Sequence, residues 1–99
     1  MTQHQRHGFR YAIVLRGARN VLGLTQKELE AESHVSQPTI ARIELGDTKP
    51  QSATWSKLVN TLFRLGVRIN EWNGFVTLEF DADELSIREA QRVRKQEHH

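Results

Sequence analysis

Gln37, Pro38, Thr39 and Arg42 form a short polar run whose side chains match the edges of nucleic-acid bases. A glutamine amide carries a donor beside an acceptor and pairs with adenine at two points, and an arginine fork does the same with guanine. Pro38 and Thr39 offer apolar surface to a thymine methyl, while Ala41 is small and lets the backbone come near. The plainer reading of Gln37 is a helix-start residue touching only water; Arg42 reads equally as a partner for a phosphate or for Glu44. Contacts to phosphate position a protein on a duplex, whereas contacts to bases specify the sequence. Such a run therefore needs a rigid, outward mount.

The stretch Thr25–Gly46 supplies one: two short helices around a tight turn. Thr25 caps the first helix, Glu28 closes a capping box, and Leu24 with Leu29 forms a hydrophobic staple. Ser36 caps the second helix, and Pro38 falls in its first turn, where a missing N–H costs little. Gly46 stops it. Ser33-His34-Val35 between the two is too short for anything but a sharp turn. Two helices so joined have the geometry that lays the second in a DNA major groove.

At these residues the chain resembles the phage-repressor/Cro-like (XRE) helix-turn-helix family, from about Leu15 to Gly66. The likeness is carried by Leu15-Arg16, Arg19, Gly23-Leu24-Thr25-Gln26, Glu28-Leu29, Val35-Ser36, Thr39-Ile40, Arg42-Ile43-Glu44, Gly46 and Pro50. It implies a mainly α fold: a lambda-repressor-like helical DNA-binding domain of four to five helices. It also implies that the Gln26 amide and nearby free N–H groups grip a phosphate, with Lys27, Ser36, Thr48 and Lys49 as neighbours on the same strands. Lys27 and Lys49 read also as ordinary solubilising lysines. For Arg19 the resemblance implies an ion pair with Glu44 that struts the second motif helix; the plainer reading is a solvent-facing arginine. Three residues depart from the family pattern: Glu30 where a small residue is usual, Ser33 for an apolar or small one, and His34 for the turn glycine. Histidine tolerates positive φ better than most residues, and a buried Glu30 is costly unless its carboxylate reaches water.

The flanks are read from periodicity. Residues 1–8 are expected to be a disordered arm, with His4 and His7 a solvated tail more readily than a metal site. Phe9–Leu22 reads as a helix lined by Tyr11, Val14, Leu15, Ala18, Val21 and Leu22 and weakened by Gly17. Ser52–Leu65 is the next, with Trp55, Leu58, Val59, Leu62 and Phe63 on its buried face. Together residues 9–66 make the DNA-binding domain. The period then changes to two over 67–80, around Asn73-Gly74, a type I′ hairpin signal. Pairing Trp72 with Phe75 places Val67, Ile69, Val76, Leu78 and Phe80 on one face. A lone two-stranded ribbon is marginal in water, so this face is expected to pack on the helices and also to make a homodimer. Residues 81–99 read as a charged tail or frayed helix, apolar only at Leu85, Ile87, Ala90 and Val93. Its Arg88, Arg92, Arg94 and Lys95 either touch phosphates or form a solvated face. Glu97-His98-His99 resembles an expression-tag remnant.

Ninety-nine residues with 37% apolar content suit one domain with a small core. No cysteine is present, which excludes a disulfide framework and thiolate chemistry and fits the cytoplasm. There is no membrane-spanning run and no visible signal peptide. A net charge of +2 is mild, so basic residues must be well placed if nucleic acid is bound. No catalytic motif stands out, and neither enzyme activity, cofactor nor metal is expected. The pattern points to a sequence-specific DNA-binding regulator, expected to act as a repressor. A two-fold dimer would read a palindromic operator with half-sites about 34 Å apart. The alternative is an antitoxin that neutralises a partner toxin and represses its own operon. Leu58–Ile69 resembles the helix–strand junction of HipB-type antitoxins, although here a second strand follows. A bridging coactivator without sequence-specific DNA binding is a third reading.

Overall fold

Among the described residues seven elements follow in chain order: α1 (Gln3–Leu22), α2 (Gln26–Ser33), α3 (Gln37–Leu45), α4 (Ser52–Leu65), β1 (Val67–Trp72), β2 (Phe75–Phe80) and α5 (Ala82–Glu97). The computed structural model describes residues 3–97, with side chains for residues 8–96. Local signals explain the middle boundaries. Thr25 Oγ1 accepts from Glu28 N at 3.0 Å while Glu28 Oε1 accepts from Thr25 N at 2.8 Å, closing the capping box. Ser36 Oγ accepts from Thr39 N at 3.4 Å and donates to Thr39 Oγ1 at 2.8 Å. Leu15, Ala18, Leu29, Ile40, Leu58 and Leu62 are fully buried where α1–α4 meet.

Three expectations change. Helix α1 begins at Gln3, not Phe9, so residues 3–8 are helical rather than a disordered arm. Its first turns dock on the end of α3: Gly8 lies so close that any Cβ would collide with the Gly46 and Thr48 carbonyls. The side chains of His4 and His7 and the residues His98 and His99 lie outside the described set. Second, Val21 and Phe63 are exposed, while Ala12, Thr61 and Leu65 are buried. The inward arc of α4 is Leu58, Thr61, Leu62 and Leu65; Phe63 sits about 100° round the helix from Leu62. Third, the charged segment after Asp81 is helix α5, capped by Asp81 Oδ1 on Glu84 N at 3.0 Å. Leu85 packs on the core, and Arg88 Nε donates to the Leu65 carbonyl at 3.1 Å, closing the end of α4. Among the described residues no helix is long and apolar enough to cross a membrane.

The hairpin has the register expected from its turn: Trp72 opposite Phe75, Ile69 opposite Leu78, Arg68 opposite Glu79. Asn73 and Gly74 have φ of 53° and 80°, the two positive values a type I′ turn requires. Val67 is 1% exposed, and Ile69 and Leu78 pack against the helical core. A Cβ on Gly17 would stand 3.2 Å from Leu78 Cδ1, so this helix-weakening glycine makes room for the hairpin. Arg10 of α1 pairs with Glu71 of β1 at the far end. The face expected to serve a dimer is therefore largely consumed within the protomer: of its five residues only Val76 and Phe80 are exposed. The opposite face carries Trp72 and Phe75, 79% and 72% exposed.

His34 ends α2 in the left-handed region, φ 61° and ψ 20°, and its N–H donates to the Glu30 carbonyl at 2.8 Å. A non-glycine residue there costs roughly 1–2 kcal/mol, more than the roughly 0.5–1 kcal/mol of backbone entropy that glycine adds. His34→Gly is thus expected to raise the thermal midpoint by a few degrees in a melt, leaving the helical signal unchanged.

Candidate nucleic-acid interface

Helix α3 is anchored on one side and open on the other. Ile40 and Ile43 are buried, while Ser36, Pro38 and Arg42 are exposed and Gln37, Thr39 and Ala41 half-buried. Glu44 also faces inward, and it organises the site. Arg19 Nε donates to Glu44 Oε2 at 2.8 Å and Arg19 Nη2 to Oε1 at 2.9 Å, a two-point pair between α1 and α3. Arg19 Nη1 further donates to the Leu24 carbonyl at 2.8 Å, fixing the α1–α2 turn. Gln26 Nε2 donates to Glu44 Oε1 at 3.0 Å, and its Oε1 accepts from Gln37 Nε2 at 2.8 Å. One chain of bonds therefore runs from α1 through α3 and α2 to the first residue of α3. Gln26 and Gln37, assigned separately to phosphate and base by the sequence reading, are one coupled pair.

The departures from the family pattern have local solutions. Glu30 is half-exposed, and its Oε2 accepts from Gln37 N at 3.1 Å, placing a carboxylate at the positive end of α3. Buried Ser33 donates to the Leu29 carbonyl at 2.7 Å and accepts from Val35 N at 3.1 Å, so its hydroxyl is satisfied. Lys27 is exposed, its Nζ 3.5 Å from Glu30 Oε1.

Thr39, Arg42, Thr48 and Lys49 border one open depression, shared with Pro50 and with Gln51 and Thr54 at the start of α4. Sequence reasoning missed the last two. Gln51 is the N-cap of α4 and makes no side-chain capping bond. The polar run Gln51-Ser52-Ala53-Thr54 just after Lys49 was the available signal. Lys27 and Gln26 stand at the other end of α3, beside Gln37, so the expected phosphate residues flank the expected base residues on both sides.

Burial pushes the Glu44 carboxyl up, but hydrogen bonds from Arg19 and Gln26 and the charges of Arg19 and Arg16 outweigh it and hold the group below the usual carboxylate range. The Glu44 bond raises the Arg19 guanidinium further. A depressed carboxyl contributes stability that is present above its unfolded value, about 4.3, and lost as pH falls through the folded value. Glu44→Gln is expected to flatten the acid limb of stability against pH in melts below neutrality. Arg19→Ala leaves a buried carboxylate without its cation and is expected to cost about 3 kcal/mol by denaturant titration.

A helix-turn-helix family model matches residues 15–68. An uncharacterized HTH-type transcriptional regulator of Haemophilus influenzae is 53% identical over 45 residues, which is 46% of this chain and 46% of that protein. The match thus spans about half the length of that curated relative. The segment matched by the family covers α2, α3, the Arg19–Glu44 pair and α4 entire, and the chain belongs to the phage-repressor (XRE) type of the helix-turn-helix family.

Proposed function

We propose that the chain is a sequence-specific, double-stranded-DNA-binding transcriptional regulator, a repressor that lays α3 in the major groove as a cytoplasmic homodimer on a palindromic operator. The observation that carries this reading is the Gln26–Gln37 amide pair, tied through Glu44 to Arg19 at the exposed start of α3. A preorganised amide pays little ordering entropy on meeting a base. In this reading Gln37, Pro38, Thr39 and Arg42 face bases. Gln26, Lys27, Ser36, Thr48 and Lys49 face phosphates, joined by Gln51 and Thr54.

Dimerisation falls to the outward hairpin surface, because Val67, Ile69 and Leu78 are occupied internally. Trp72 and Phe75 are cross-strand neighbours on that surface, and aromatics are enriched among the anchors of interfaces. Those same aromatics favour, as a second reading, a toxin partner of the antitoxin kind. A partner protein co-purifying with the chain would distinguish the two.

Operator selected from random DNA should bind with steep salt dependence, because counterion release drives the contact. Gln37→Ala should change the preferred sequence at one or two base pairs, and Gln26→Ala should do so too, while also weakening all sites. A sequence preference that both variants leave unchanged from the wild type would refute the base-reading role. In sedimentation the wild type should be a dimer and the Trp72→Ser/Phe75→Ser variant should shift toward monomer; a monomeric wild type would refute the dimer.

A further inference from the structure

A second open groove lies away from α3, between the α1–α2 turn and α5. Leu24 and Glu28 stand on one side, and Arg88, Arg92, Arg94 and Lys95 on the other. These cations are not equivalent. Arg88 is engaged by the Leu65 carbonyl and stands 3.8 Å from Glu84, and Arg92 is paired with Glu89. Glu28, the acid on the opposite wall, is occupied by its own capping box. Neither Arg94 nor Lys95 has an acidic partner among the described side chains. Among the described side chains, the positive charge of the groove without an acidic partner is therefore concentrated in the last turn of α5.

The path of the chain decides which way that turn points. Helix α4 starts at the depression shared with Thr39, Arg42 and Lys49. At about 1.5 Å per residue it ends ~21 Å from there. Helix α5 starts at that remote end, where Asp81 N donates to the Gly66 carbonyl at 2.8 Å. Its 16 residues cover ~24 Å and return to Leu24 and Glu28, beside the start of α2 that carries Gln26. Acidic residues Asp83 and Glu84 are left at the remote end, and Arg94 and Lys95 are delivered to the Gln26 end.

We infer that Arg94 and Lys95 grip the phosphate backbone of duplex DNA just outside the phosphate taken at the start of α2, so that α5 is a second, sequence-independent clamp. This rests on the DNA-binding reading above. It gives a role to a mostly polar helix that docks through Leu85, the Arg88–Leu65 bond and the seating of Asp81 and Glu84 against Gly66.

The test uses the full chain and a random-sequence duplex as probe, with log Kd measured against log salt. The Arg94→Gln/Lys95→Gln variant should lower the slope by about 1–2, since each phosphate neutralised contributes about 0.9, and should leave the sequence preference of the selected operator unchanged. Glu89→Gln, which removes an acid from the groove and frees Arg92, should shift binding the other way and tighten it. Thermal melts of both variants establish that the fold is retained. A wild type that ignores DNA at low salt refutes the DNA-binding reading itself. A wild type that binds with a slope unmoved by either variant overturns the clamp alone. Capture of a Glu-rich peptide, lost in the double variant while the DNA slope stays the same, also overturns it and assigns the groove to an acidic protein segment.

Discussion

Three helices of the domain meet at one carboxylate. Glu44 comes from α3, Arg19 reaches it from α1 with two nitrogens, and Gln26 reaches it from α2. Buried ion pairs contribute little net stability relative to well-packed apolar residues, because desolvation offsets the attraction. What this pair supplies is a defined angle: a two-point guanidinium–carboxylate contact has a preferred plane and separation. The amide of Gln26 then carries that constraint outward to Gln37. The exposed end of α3 is thus fixed by a group buried at its other end.

That constraint explains how the motif absorbs three unusual residues. Glu30, where close helix crossing favours a small side chain, turns its carboxylate to the N–H of Gln37 and becomes a cap for α3. Ser33 satisfies its hydroxyl within the turn, bonding Leu29 and Val35. His34 accepts a left-handed backbone. Ser33 and His34 are met within a few residues, while Glu30 bonds the backbone N–H of Gln37 and leaves that residue's side-chain bond to Gln26 in place. The cost stays local, so the relative orientation of α2 and α3 is kept.

Beyond Gly66 the structure follows from a shortage of apolar surface. The hairpin cannot stand alone, and Val67, Ile69 and Leu78 of one face pack on the helical core. Using that face internally buries Val67 and seats Leu78 against Gly17. Trp72 and Phe75 are left outside as the largest exposed aromatics of the hairpin. Helix α5 is held more lightly still, by Leu85 and by the bond from Arg88 to the open end of α4. Ile87 and Val93 stay exposed on it among its charged residues.

Helix caps, the Asn73-Gly74 turn and the hairpin register were legible in the chain, because each is set by bonds between residues a few positions apart. So was the run Gln37–Arg42, whose chemistry is that of its side chains wherever they stand. The sequence also carried the inward positions of Leu15, Ala18 and Leu22 on α1, since helical period alone defines a stripe there. It did not carry the helical start at Gln3, the exposure of Val21 and Phe63, the joining of Gln26 to Gln37, or which hairpin face would be left open. Those depend on what lies opposite: the Gly46 and Thr48 carbonyls facing Gly8, the space beside Gly17, the carboxylate of Glu44. Local hydrogen bonds and periodicity specify elements, but the choice of face belongs to contacts between residues distant in sequence, and only the packed chain makes them.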